Sequence, residues 1–126
     1  MDGAVFKERN ESGVGVIIRD VNGLVVAAMC KKFHAPLGPL EVEAKAFEFG
    51  LHFAKDVRLH EFILEGDSLN VVRALQGLLP PLVLVMSIIY WIQSSCNDVR
   101  KVVFSHVCRQ GNRPSLQNML YLLLTL

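Results

Sequence analysis

No secretory leader, no membrane-length apolar run and no block of like charge occurs in this 126-residue sequence. Asp2, Lys7, Glu8 and Arg9 interrupt the opening residues, so the apolar core of a signal peptide is missing. Secretion is therefore not expected, and the chain reads as intracellular, cytoplasmic or nuclear. The most apolar stretch, Leu78 to Ile92, is broken by Pro80, Pro81 and Ser87 and falls short of the ~20 residues that a bilayer span needs. The tail from Met119 to Leu126 is shorter still and reads as an exposed sticky end. Thirteen basic and twelve acidic side chains leave a net charge of +1, too little to draw in a polyanion over long range, so nucleic-acid binding would need a local patch. Cysteines are few and scattered. Cys30, Cys96 and Cys108 lack the close spacing of metal or redox motifs and read as small buried hydrophobes in a reducing compartment.

What is present is a dense apolar content, 52% hydrophobic against 20% charged, in a length that suits one domain, residues 1–126. Gly13 to Arg19 and Leu24 to Cys30 are β-rich runs joined by Asp20-Val21-Asn22-Gly23, and Asn-Gly is a strong hairpin signal. Asp2 to Phe6 reads as a short strand pairing with that hairpin. After Pro36, Gly38 and Pro39, apolar residues fall at Leu40, Ala44, Phe47, Leu51 and Ala54, the spacing of an amphipathic helix. Glu61 to Glu65 is a short strand. Asp67 and Ser68 can then cap a helix that runs through Leu75 to Gly77. A further helix is expected from Pro80-Pro81 to about Ser95, a strand from Lys101 to Val107, and a last helix opened by Asn112 and Pro114. This order suits an α/β fold, a mixed sheet covered by helices.

Three acids can converge in such a fold: Asp2 on the first strand, Glu43 on the first helix and Asp67 where a strand ends. Carboxylate oxygens suit Mg²⁺ or Mn²⁺, and two such ions ~4 Å apart can stabilise the attacking and leaving oxygens of a phosphodiester displacement. Within the first helix, Glu41, Lys45 and Glu48 form an outward face with a Glu to Lys pair at i, i+4. Glu43 instead lies on the flank of the buried stripe, three residues from Leu40 and four from Phe47. Each acid also has a plainer account: Asp2 as a terminal residue, Asp67 as a helix cap, Glu43 as a solvated helix residue.

These segments resemble the ribonuclease H-like domain of the reverse-transcriptase-like type common in plants. The likeness runs through Asp2-Gly3-Ala4, Gly13 to Asp20, Asn22-Gly23, Pro39-Leu40-Glu41-Val42-Glu43-Ala44, Glu65-Gly66-Asp67-Ser68, Phe104-Ser105-His106-Val107 and Asn112-Arg113. The resemblance implies a five-stranded mixed sheet flanked by helices. It also implies a Mg²⁺- or Mn²⁺-dependent endonuclease that hydrolyses the RNA strand of an RNA/DNA hybrid, with Asp2, Glu43 and Asp67 as metal-ligating catalytic acids. The position of the family's fourth acid holds Leu116, and both ends depart from its pattern, as expected of a truncated or divergent domain. A catalytically inactive relative that binds nucleic acid or a protein partner is the alternative.

The remaining candidates point elsewhere. His34, His52, His60 and His106 share no ligand spacing, and the short loop Cys108-Arg109-Gln110-Gly111 offers no histidine where the family has a helper. Lys31, Lys32, Arg109 and Arg113 could contact phosphates, although solvated surface charge explains them as well. Tyr90 and Trp91 sit in an apolar helix and read as core. Neither a nucleophile motif nor a small-molecule site is indicated, and a monomer is expected.

Overall fold

The computed structural model describes residues 12–33, 38–80, 83–106 and 119–125. Strands β1 (Ser12–Arg19) and β2 (Val25–Phe33) form the hairpin and pair antiparallel. Its turn is closed by the Asp20 side chain, whose Oδ1 accepts from the Asn22 and Leu24 amides at 2.9 and 3.0 Å. Gly23 supplies a φ of 82° there, a conformation that side chains resist. Helix α1 (Pro39–Asp56) follows, with proline in its first turn, where the missing N–H costs nothing. Then come β3 (Glu61–Gly66), α2 (Leu69–Leu75), a 3₁₀ turn (Val83–Val85), α3 (Met86–Ser95) and β4 (Lys101–His106). Gly77, at φ 79°, ends α2: its amide donates to the Ala74 carbonyl and that of Leu78 to the Arg73 carbonyl, a Schellman closure.

The tail overturns one expectation. Leu120–Thr125 is β5, and it lies in the middle of a five-stranded sheet of order β2-β1-β5-β3-β4. It runs antiparallel to β1, with Ile17 opposite Leu123, and parallel to β3, with Glu65 opposite Leu123. The expected sticky end is therefore core: Leu122 is wholly buried, and Tyr121 and Leu124 nearly so. The physical reason is coverage on both faces, which calls for a continuous apolar run in place of alternation. Asp2 to Phe6 and the helix expected after Asn112 fall outside the described residues. The edge of β1 away from β2 is held by β5 from Gly15 to Arg19.

The main core lies between the sheet and α1, α2 and α3, around Val16, Phe47, Leu51, Leu64, Ile89 and Leu122. Ile63, Met119 and Tyr121 form a second cluster on the opposite face. Gly50 lets β5 approach α1, because a Cβ there would stand 2.6 Å from Leu124 Cδ2. Two surface details differ from the sequence reading. Cys30 is exposed on the edge strand, where no described element covers β2, and Tyr90 is 52% exposed, because Ile89 and Ile92 carry the buried face of α3. Trp91 is half-buried against the core and stacks beside His52, ring centroids 4.5 Å apart. No helix among the described residues is long and apolar enough to cross a membrane.

Candidate active site

Chain direction decides which end of the sheet can carry the acids. Helix α1 and strand β3 are joined by a short turn at 57–60 and pack on each other, so the start of α1 returns over the end of β3. Phe47 marks the contact. A Cβ on Gly66 would stand 2.5 Å from Cε2 and Cζ of the Phe47 ring, so only glycine lets the ring lie there. Glu43, half-buried, is one helical turn before Phe47, and Asp67 is the exposed residue directly after Gly66. Both acids therefore sit at the same end of the fold. Asp2 and Leu116 lie outside the described residues.

The backbone at Asp67 is fixed from two sides. Ser68 is the N-cap of α2, its hydroxyl accepting from the Val71 amide at 3.3 Å, which leaves the Asp67 carboxylate without capping duty. His106, paired with Gly66 across β3 and β4, brings Nε2 to 3.1 Å from the Asp67 carbonyl oxygen. A hydrogen-bonded structural histidine is the sequence expectation for His106, but its partner is not legible there, because the contact spans 39 residues and depends on the strand register. Glu65, one pleat before, is wholly buried on the face of Ile63, so it is not a surface ligand. On the outward face of α1, Lys45 pairs with Glu48 at 2.9 Å, and the anticipated Glu41 to Lys45 pair does not appear among the described ion pairs.

Among the described residues no group of three or more histidine, cysteine, aspartate or glutamate side chains is close enough to hold a metal. β5, the neighbour of β3 on one side, carries no acid at all. Of the three acids expected from the sequence, Glu43 and Asp67 lie within the described residues. Two carboxylates suit one Mg²⁺ that keeps several waters, whereas a pair of ions needs a third acid.

The rest of the surface carries less chemistry. A mostly apolar cavity of about 250 Å³ lies between the starts of α1 and α2, lined by Leu40, Asn70, Val71 and Val85. At the opposite end of the sheet a cavity of about 280 Å³ is lined by Lys55, Arg58, His60 and Asp98. Its lysine is committed, since Nζ bonds Asp98 Oδ1 at 2.9 Å and the Ser95 carbonyl at 3.1 Å. Burial pushes the nearby Cys96 thiol up; Lys55 opposes the rise and Asp98 adds to it. On the hairpin, Lys31 stands over the rings of Phe33 and Phe49, 5.4 and 5.9 Å from their centroids, a cation-π arrangement that holds its charge at the surface.

A family model described as Reverse transcriptase-like matches residues 1–117. Among solved structures, the chain is similar to RNase H1 from the halophilic archaeon Halobacterium salinarum, at TM-score 0.70 and 20% identity over 79% of this chain and 77% of that one. It is also similar to the N-terminal RNase H domain of a Mycobacterium tuberculosis protein solved as a maltose-binding-protein fusion. That match has TM-score 0.65 and 18% identity, over 82% of this chain and 76% of the other. A search of curated proteins gave no match. At these identities the two structures establish the five-stranded RNase H-like fold.

Proposed function

Because this chain belongs to the reverse transcriptase-like family, we propose that it is a nucleic-acid-binding domain of RNase H type that acts on RNA/DNA hybrid. Hydrolysis of the RNA strand would use Asp2, Glu43 and Asp67 as ligands for Mg²⁺ or Mn²⁺. The observation that carries the reading is the contact of Phe47 on Gly66, which puts Glu43 and Asp67 at one end of the sheet.

A bound divalent ion supplies positive charge for the oxygens that attack and leave a phosphodiester. The chain's own residues do the rest. Glu43 and Asp67 offer oxygens of fixed origin, one from a buried helix and one from a strand end. Ser68 and His106 hold the backbone that carries Asp67. The chain's small net charge leaves hybrid recognition to local contacts.

Cleavage of a labelled RNA/DNA hybrid with Mg²⁺ or Mn²⁺ tests the reading. Asp67→Asn should lower the rate by about 100-fold or more, the scale of a lost charge-stabilising ligand, with an unchanged melting curve. Absence of cleavage with either metal at any concentration would sink the catalytic part. A second reading, a binding module without catalysis, is favoured by Leu116 at the fourth acid position and by the acid-free β5. Calorimetry separates the two: hybrid binding with no uptake of divalent ion supports the module.

A further inference from the structure

β1 runs antiparallel to both β2 and β5, and β5 runs parallel to β3, so β2, β5 and β3 all finish at one end of the sheet. Lys31 stands two residues before the end of β2, and is therefore at the end that carries Glu43 and Asp67. It is also on the face that α1 covers. Its partner across the hairpin, Val14, belongs to the main core beneath the helices, and its ammonium lies over the Phe49 ring of α1. Successive side chains of a strand point to opposite faces, so Lys32 faces away from α1.

The surroundings of Lys31 differ from those of lysines held by acids. Lys45 bonds Glu48 and Lys55 bonds Asp98, each at 2.9 Å. Lys31 is exposed, and no carboxylate pairs with it among the described ion pairs. Its ammonium instead meets the rings of Phe33 and Phe49. A ring face attracts a cation yet leaves its N–H donors for an oxygen ligand. The rings also restrict a long side chain beforehand, so less freedom is lost when it binds. Position sets which oxygen it can reach. β1 and β5 separate β2 from β3, so three spacings of about 4.8 Å lie between Lys31 and the strand that ends in Asp67. With about 3.4 Å of rise per nucleotide along one strand, a phosphate at Lys31 is not the one beside Asp67.

We propose that Lys31, propped by Phe33 and Phe49, is a binding site for a backbone phosphate of the RNA/DNA hybrid, several nucleotides from the bond that is cut. A cation on the face of α1 holds the duplex across the end of the sheet, and it takes no part in the chemistry at the acids. A contact to phosphate carries no base preference, so the site fixes where the hybrid lies and leaves its sequence unread. The inference rests on the reading of this chain as a domain that binds hybrid.

The test is binding of a fluorescently labelled RNA/DNA hybrid to the full chain in EDTA, followed by anisotropy across salt concentrations. Each phosphate contact contributes about 0.9 to the slope of log affinity against log salt for a duplex. Lys31→Gln should lower the slope by about that amount, so the parent's advantage should shrink about threefold between about 50 and 200 mM salt. Lys31→Arg should keep the parent's slope, and so should Lys32→Gln on the far face. A melting curve of each variant separates unfolding from a lost contact. An unchanged slope in Lys31→Gln overturns the proposal. So does an equal drop in Lys32→Gln, which would mean that total charge is felt and position is not. With Mg²⁺ present, Lys31→Gln should raise KM and keep kcat, and a fall in kcat at unchanged KM also overturns it. A chain that binds hybrid with the slope due to Lys31 yet never cuts it defeats the nuclease reading alone. A chain that binds and cuts hybrid indifferently to Lys31→Gln defeats the phosphate site alone.

Discussion

The ring of Phe47 occupies the space where a side chain on Gly66 would begin, and this contact places the start of α1 over the end of β3. Phe47 is 1% exposed, so its ring has no route of retreat. Gly66→Ala should therefore cost about 1–3 kcal/mol, the range for overpacking a filled core. Chemical denaturation of the variant checks the figure, and a midpoint equal to that of the parent would refute the packing argument. Gly66→Ala with Phe47→Leu should recover part of the loss, because the smaller side chain vacates the space.

Ser68 and Asp67 are adjacent but have separable duties. Ser68→Ala should destabilise the protein by about 1 kcal/mol through the lost cap, while hybrid cleavage falls no more than the melting curve explains. Asp67→Asn should do the reverse. Measuring stability and cleavage on both variants tests the division. A large stability loss in Asp67→Asn would return the capping role to the aspartate.

The punctuation of the chain was readable because it is local. Asp20 to Gly23, Gly38-Pro39 and Gly77 act through φ and through side-chain hydrogen bonds within a few residues, and each closes the turn or helix expected of it. Glu43 and Asp67 were readable for a similar reason, one by its spacing from Phe47 and the other by its place at a strand end. The seat of β5 was not. Tyr121 to Leu124 has the unbroken apolar pattern of a central strand, but which strands flank it depends on partners far along the chain, as with Ile17 and Glu65 opposite Leu123. The partner of His106 was missed for the same cause, since its approach to Asp67 exists only in the parallel register of β3 and β4. The pairing of Lys45 with Glu48 in place of Glu41 turned on side-chain conformation, because both spacings are permitted on a helix.

Arg58 has a φ of 63°, the left-handed position after the end of α1, where glycine is the usual occupant. The closure is otherwise complete: the Leu59 amide donates to the Ala54 carbonyl and the Arg58 amide to that of Lys55. A side chain in this conformation costs about 1 kcal/mol, partly offset by the extra freedom that glycine gives the unfolded chain. Arg58→Gly should thus raise stability by a few tenths to about 1 kcal/mol. Thermal melting checks it, and a lowered midpoint would mean that the arginine side chain makes up for its backbone.

Asp98 offers a pH test of the link between α1 and the turn before β4. The hydrogen bond from Lys55 holds its carboxyl below the ordinary value of 3.8, against a weaker upward push from burial. A carboxyl whose value falls on folding contributes stability that is fully present above its unfolded value. That stability is lost as the pH drops through the folded one. The side chain is 68% exposed, so the contribution is small and salt-sensitive. Comparing the parent with Asp98→Asn across pH should give a stability difference that is constant near neutrality, shrinks below about pH 4 and vanishes in stronger acid. A difference that persists in acid would assign the effect to packing of the turn, where the Lys55 ammonium also holds the Ser95 carbonyl at the end of α3.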